Sequence, residues 1–366
     1  MIKKLLFTLF LLFQFSAFSQ SNLLSENAAV SVFTCGRGGE LYSTFGHTAI
    51  RIKDNFNNLD VVYNYGAFDF RTENFYLKFV KGDLQYFINA STFDDFIYEY
   101  QLDNREVVEQ TLDLSSEQKQ KIYQLLSSSL TSEERNYTYK FIDRNCTTKV
   151  VDKINTVLGK AIIQKVDDKT ISYRQVLYPY FDTFFWYKFG INIIFGAKTD
   201  HKAEKLFLPI ELLNSLDKAI VGGKPLVSKK EVIVKGGELK SEFSFFNSIY
   251  PLVLLLILVV LSRKKIIYLS YFFILGLLGL FFCLVGFYSF HEEILWNYNV
   301  LLFNPLFLVL PFIKGKWLKN SILISMGMLL IYCVLMINKP YVTLMIPFML
   351  VSGYILNRLL KDFKKA

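Results

Sequence analysis

Histidine, cysteine and, in its last third, acidic residues are what this chain of 366 residues has least of. It holds 3 histidines and 4 cysteines. Cys283 and Cys333 fall inside long apolar stretches and read as small packing residues. That leaves Cys35 and Cys146 with His47 and His201, none in the close-paired spacing of a structural zinc site, so no metal is expected. No cofactor motif is present either. So few cysteines exclude a disulfide framework, although one Cys35 to Cys146 bridge is chemically open to an exported domain. The formal net charge of +9 suggests an acidic partner until it is counted by region. From Gln20 to Phe243 there are 28 lysines and arginines against 29 aspartates and glutamates, which removes nucleic acid as a partner.

The surplus of positive charge reports topology. Lys3 and Lys4 precede an apolar run to Phe18, and Ala17-Phe18-Ser19 gives a small-x-small cleavage pattern, so residues 1–19 read as a secretory signal peptide. An uncleaved anchor is the alternative, and the short apolar core speaks against it. Five apolar stretches follow Phe243, at about 245–262, 266–290, 300–313, 321–337 and 341–356. The third is short for a span and has to begin near Trp296. Arg263, Lys264 and Lys265 separate the first two; Lys314, Lys316 and Lys319 separate the third and fourth; Arg358, Lys361, Lys364 and Lys365 follow the fifth. The remaining two short loops hold only Lys339. This alternation puts residues 20–243 outside, residues 244–366 in the membrane and the C-terminus in the cytoplasm.

In the exported part, Val30, Val32 and Thr34 alternate, as do Thr48, Ile50 and Ile52, and a polar turn over 54–60 leads into Val61. Pairing Ile52 with Val61 makes a hairpin that sets His47 opposite Gly66 and diagonal to Asn64. Ser115 or Ser116 caps an amphipathic helix reaching Leu130. Val150, Val151, Ile154, Val157 and Leu158 predict a second helix stopped by Gly159, whose first turn holds Asn145-Cys146-Thr147-Thr148. Residues 222–241 read as a polar linker.

A cysteine at a helix N-terminus faces the positive end of the macrodipole, which favours thiolate, and its own amide is an oxyanion donor. His47 is the available general base, since imidazole titrates near neutrality. Strand geometry favours Asn64 to orient the ring, with Glu40 and Asp69 as alternatives. A buried, inert cysteine is the bland reading of the same position.

Three blocks carry a resemblance: Gly39 to Arg51 (GELYSTFGHTAIR), Tyr63 to Phe70 (YNYGAFDF) and Asp143 to Thr148 (DRNCTT). With Ser172-Tyr173-Arg174, Phe207-Leu208-Pro209, His291 to Asn299 and Asn304-Pro305-Leu306, they make the chain similar to the Lnb-type lipoprotein N-acyltransferases. The resemblance implies an α+β, permuted papain-like exported domain, related to the lecithin retinol acyltransferase group, followed by an all-α transmembrane bundle of about five helices in the inner membrane. It implies Cys146 as nucleophile and His47 as base. Asn64 stands where that group has a second histidine, which leaves the third member open. The implied partners are a phospholipid acyl donor, a lipoprotein acceptor and the membrane. Arg51 and Arg144 are candidate phosphate ligands, Glu40 a further substrate contact, and His291 and Glu292 candidates for head-group or amine handling. Phe181 to Phe189 is aromatic enough to lie at a membrane surface. Two rivals stand beside this reading: a membrane-tethered cysteine peptidase or amidase, and a non-enzymatic sensor stapled by Cys35 and Cys146.

Overall fold

The computed structural model describes residues 23–237 and 243–365, so the expected signal segment lies outside the described residues. Period-two alternation builds an antiparallel sheet. β1 (Ala29–Cys35) pairs with β2 (His47–Asp54), and β2 with β3 (Leu59–Ala67), with Ile52 facing Val61 and Ala49 facing Asn64. The hairpin register is therefore the one the apolar pattern requires, because a one-residue slip would turn Ile50 and Ile52 out of the core. A short helix α1 (Phe75–Lys81) leads into β4 (Gln85–Thr92), helix α2 (Phe93–Leu102) into β5 (Val107–Leu112), and helix α3 (Ser116–Thr131) into β6 (Asn136–Thr138). Helix α4 (Cys146–Leu158) follows. Then come α5 (Tyr173–Leu177), α6 (Phe185–Ile194), α7 (Pro209–Lys218), a two-residue hairpin of β7 (Ile220–Val221) and β8 (Lys224–Pro225), and β9 (Val227–Val234).

The large sheet runs β6-β4-β3-β2-β1-β5-β9. Both of its faces are covered. Val30, Val32, Ile50 and Ile52 pack against Ile122 and Leu126 of α3, Val150 and Ile154 of α4, and Leu212 and Leu216 of α7. Each such burial contributes roughly 1.5–3 kcal/mol. On the other face Phe33, Ala49 and Val62 meet Phe96, Ile97 and Tyr100 of α2. The segment read as a linker over 222–241 instead supplies β9, an edge strand paired with β5. Its exposed Lys229, Lys230 and Glu231 disguise it as polar chain, and such charges keep an edge from pairing with other molecules.

The C-terminal part has four α-helices among the described residues rather than five. They are α8 (Tyr250–Ser262), α9 (Lys265–Tyr288), α10 (Gly315–Met336) and α11 (Val342–Lys365). The last three include stretches long and apolar enough to cross a membrane. The stretch expected as a third span is not an α-helix. It forms 3-10 turns at Tyr298–Val300 and Pro305–Leu308 and lies along α9 with Phe303, Asn304 and Phe307 buried. Gly276 and Gly279 permit this approach: a Cβ on Gly279 would fall 1.4 Å from the Phe303 carbonyl oxygen. Asn304 donates to Ser325 at 3.1 Å and uses its own Oδ1 to accept from the Leu306 amide, while Tyr332 donates to Asn299 at 2.7 Å. Irregular backbone is tolerated at membrane depth when it is enclosed by protein in this way.

Candidate active site

Three local devices bring the Asn-Cys-Thr-Thr block to the Gly-His strand. Asn145 caps α4: its Oδ1 accepts from the Thr148 amide at 2.9 Å, and Thr148 Oγ1 accepts from the Asn145 amide at 2.8 Å. The other end of the Asn145 side chain donates to the Phe141 and Phe207 carbonyls, each at 2.8 Å, so the cap is also pinned to the following domain segment. Thr147 and Thr48 share a hydroxyl hydrogen bond of 3.0 Å, which ties the first turn of α4 to the residue after His47. Gly46 enters β2 at φ +81, with its Cα facing the Cys35 carbonyl so closely that a Cβ would stand 2.4 Å from that oxygen. Only glycine turns the chain there, and the turn sets His47 at the strand start.

Cys146 and His47 meet. Burial pushes the Cys146 thiol up, but the His47 charge, a hydrogen bond from His47 and those from the Thr48 amide and Thr147 hydroxyl outweigh it, and the net displacement is below the ordinary thiol range. His47 Nε2 lies 3.2 Å from Asn64 Oδ1, so Asn64, rather than Glu40 or Asp69, holds the ring. Glu40 is exposed, and its backbone carbonyl serves the 3-10 turn at Leu41–Ser43. Asp69 is paired with Arg71 at 2.8 Å. Cys35 and Cys146 are both free thiols. Cys35 is fully enclosed across the β1/β2 pair from His47, and burial pushes its thiol up to about 12, where it is inert.

Arg51 is not available for a phosphate. It is buried, with Nε and Nη2 on Asp60 at 2.7 and 2.6 Å, Nη1 on Glu109 at 3.2 Å, and its guanidinium 3.5 Å from the centre of the Phe93 ring. Arg144 is exposed two residues before Cys146 and lies over the Tyr137 ring at 5.3 Å. His291 and Glu292 join the two halves of the chain. His291 Nε2 meets the Phe79 carbonyl at 2.8 Å, and Glu292 takes Lys140 at 2.8 Å and Lys198 at 2.9 Å. Phe185 and Phe189 of the aromatic run pack on the helical bundle, Phe189 stacking with Phe348 at 6.0 Å.

Sequence reasoning missed Tyr137. Its buried hydroxyl faces the Gly66 backbone amide and donates to no acceptor among the described residues. It lies 3.9 Å from where a Gly66 Cβ would stand, and Cys146 Cβ lies 3.6 Å from the same point. Nothing local marks this tyrosine, because only the β4/β6 pairing brings it there. A cavity of about 280 Å³ opens beside His47 and Gly66, lined also by Tyr42, Phe68, Glu99 and Arg105 among others. Among the described residues no cluster of three His, Cys, Asp or Glu side chains suits a metal. A free thiol with lowered pKa beside an oriented imidazole is an arrangement capable of nucleophilic chemistry at sulfur.

Residues 14–178 match the family model described as the Lnb N-terminal periplasmic domain. That segment is an Lnb-type periplasmic N-terminal domain. The matched segment contains His47, Asn64, Tyr137 and Cys146, and with the apolar helices it makes this a membrane protein with a periplasmic N-terminal domain. A search of the curated proteins gave no match, and neither did a search of the solved structures.

Proposed function

We propose that this Lnb-type chain is a phospholipid-dependent acyltransferase that acylates the N-terminal amine of a diacylglyceryl-cysteine lipoprotein through a thioester on Cys146. The observation that carries the reading is the Cys146, His47 and Asn64 constellation in a domain held directly against membrane helices. His47 takes the thiol proton, and the thiolate attacks the ester carbonyl carbon of the donor. The oxyanion faces the Cys146 amide at the helix N-terminus and the free hydroxyl of Tyr137. Collapse breaks the ester C–O bond, His47 returns the proton to the leaving alkoxide, and a lysophospholipid departs. The acceptor amine then attacks the thioester, the C–S bond breaks, and His47 carries the amine proton to the leaving thiolate. Splitting the reaction this way lets one site serve both substrates in turn.

Two further features support the substrate class. Glu99 and Asp103 line the cavity with one cation, Arg105, which is 3.7 Å from Asp103 and donates to the Gly36 carbonyl, so the site favours a cationic group such as an ammonium. Arg144, exposed two residues before Cys146, suits the donor phosphate. In orientation, the loops of Lys339 and His291 meet the periplasmic domain while Arg263 to Lys265 and the C-terminal lysines belong at the cytoplasmic ends.

The test uses the full chain in lipid nanodiscs with acyl-labelled phospholipid. A hydroxylamine-sensitive label is expected on wild type and absent from Cys146→Ser, and it should pass to a diacylglyceryl lipopeptide. No label on wild type, together with cleavage of cell-wall peptide, would replace this reading with the amidase.

A further inference from the structure

Helix α1 presents an exposed apolar surface. Tyr76 is 75% exposed, Leu77 61%, and Phe79 and Val80 nearly half, while Phe70 just before the helix is 59% exposed. Its position is fixed by the end of α9, the most hydropathic of the three spans. Phe290 N donates to the Lys81 carbonyl at 2.6 Å, Ser289 Oγ to the Val80 carbonyl at 2.9 Å, and the His291 ring meets the Phe79 carbonyl. The same end of α9 exposes Phe287 and Phe290. The apolar face of α1 is thus continuous with the lipid-facing surface of a membrane helix, at the level where acyl chains meet head groups. Lys81, paired with Asp83 at 2.7 Å and lying 5.4 Å from the Phe290 ring, has the stem-and-head form that suits this depth.

From α1 a file of rings runs inward. Phe70 meets Phe75 at 4.9 Å, Phe75 meets Phe68 at 5.8 Å, Phe68 meets Tyr86 at 5.4 Å, and Tyr86 stacks on Tyr139 at 4.4 Å. Tyr139 and Cys146 both border the space left open by Gly66. These rings touch one another, so together they form a continuous apolar wall from the bilayer to Cys146, and an acyl chain is the occupant that such a wall suits.

We infer that α1 inserts into the outer leaflet and is the entrance through which the donor's acyl chain reaches Cys146. This rests on the acyltransferase reading and adds its route. The full chain, with photoreactive p-benzoylphenylalanine replacing Leu77, is illuminated in phosphatidylethanolamine nanodiscs; a lipid adduct is expected. Adducts confined to protein, whether residues of this chain or another copy, would overturn the route. In parallel, Tyr76→Glu/Leu77→Glu should load Cys146 from bilayer phospholipid roughly tenfold more slowly, the effect of charge at an interfacial apolar face. Its loading from a water-soluble short-chain thioester should match wild type. Equal loading of the variant from bilayer lipid would refute the entrance. Failure of wild type to load from either donor would refute the acyltransferase reading instead. Loss of both donors in the variant alone would count against the entrance, since the defect would then not be one of lipid access.

Discussion

Removing the Asn64 side chain tests the least conventional part of the site. In wild type, Asn64 Oδ1 accepts from His47 Nε2 at 3.2 Å, which leaves Nδ1 for the sulfur. A neutral hydrogen bond of this length contributes about 1 kcal/mol, and one to the imidazolium formed during attack about 1.5–3 kcal/mol. The difference that acts on the barrier is therefore about 0.5–2 kcal/mol, or roughly 2- to 30-fold in rate. Asn64 is itself loosely held, its Nδ2 reaching only the Val62 carbonyl at 3.5 Å, which favours the lower half of that range. In single-turnover loading of Cys146, Asn64→Ala should lower the maximal rate about fivefold with little change in half-saturating donor. Asn64→Asp, which keeps an acceptor oxygen, should recover part of the loss. Asp69→Asn should match wild type, because Asp69 is exposed and engaged by Arg71. An alanine variant within twofold of wild type, or an aspartate variant as slow as alanine, would remove Asn64 from the site.

Two other outcomes follow from the same geometry. The pH midpoint for Cys146 alkylation should lie below the ordinary thiol range in wild type and move upward in His47→Ala, because burial then acts without the imidazole that opposes it; iodoacetamide rates against pH measure this, and an unmoved midpoint would separate the two residues. Tyr137→Phe should leave donor affinity near wild type and slow loading by about 10- to 1000-fold if its hydroxyl faces the oxyanion; a normal rate in the variant would leave that hydroxyl an orphan with no catalytic part.

What the sequence made legible is local. Alternation around Ile50 and Ile52 fixes the hairpin register, and the cap residue Asn145 with the stop at Gly159 bounds α4. These are short-range patterns that burial enforces. Arg51 shows the limit: its sequence made it a candidate phosphate ligand, but Glu109, 58 residues away on β5, and Asp60 across the hairpin make it an interior ion pair. The third apolar stretch shows another. Its composition is that of a span, yet close approach to Gly276 and Gly279, 24 to 32 residues earlier, and side-chain bonds from Asn299 and Asn304 replace the helical ladder. Tyr137 and the Thr48 to Thr147 bond depend on strand order and on α4 crossing β2, which no window of sequence contains.

The site and the bundle are joined by charge at the loop that delivers the nucleophile. Asp143, three residues before Cys146, takes both Lys198 and Lys205, and Lys198 continues to Glu292 at 2.9 Å while Lys140 reaches the same Glu292 at 2.8 Å. Burial pushes the Asp143 carboxyl up, but its hydrogen bonds to Lys198 and Lys205 win and hold it below the usual carboxylate range; Glu292 is lowered by Lys140 and Lys198. Both folded pKa values are depressed, so the clamp contributes fully above the ordinary carboxylate range and weakens only as pH falls through the lowered values. Near neutrality both carboxylates stay charged. The exposed pairs add little stability individually, but the loop from Lys140 to Arg144 is closed on itself by paired backbone bonds of 3.1 and 2.8 Å. Anchoring that closed loop to Glu292 therefore fixes the start of α4, and with it the sulfur, relative to the outer end of α9. On the proposed function, a thiolate that meets a lipid ester at the bilayer surface needs its distance from that surface set by covalent and ionic neighbours a few residues away, and Asp143, Lys198 and Glu292 occupy those positions.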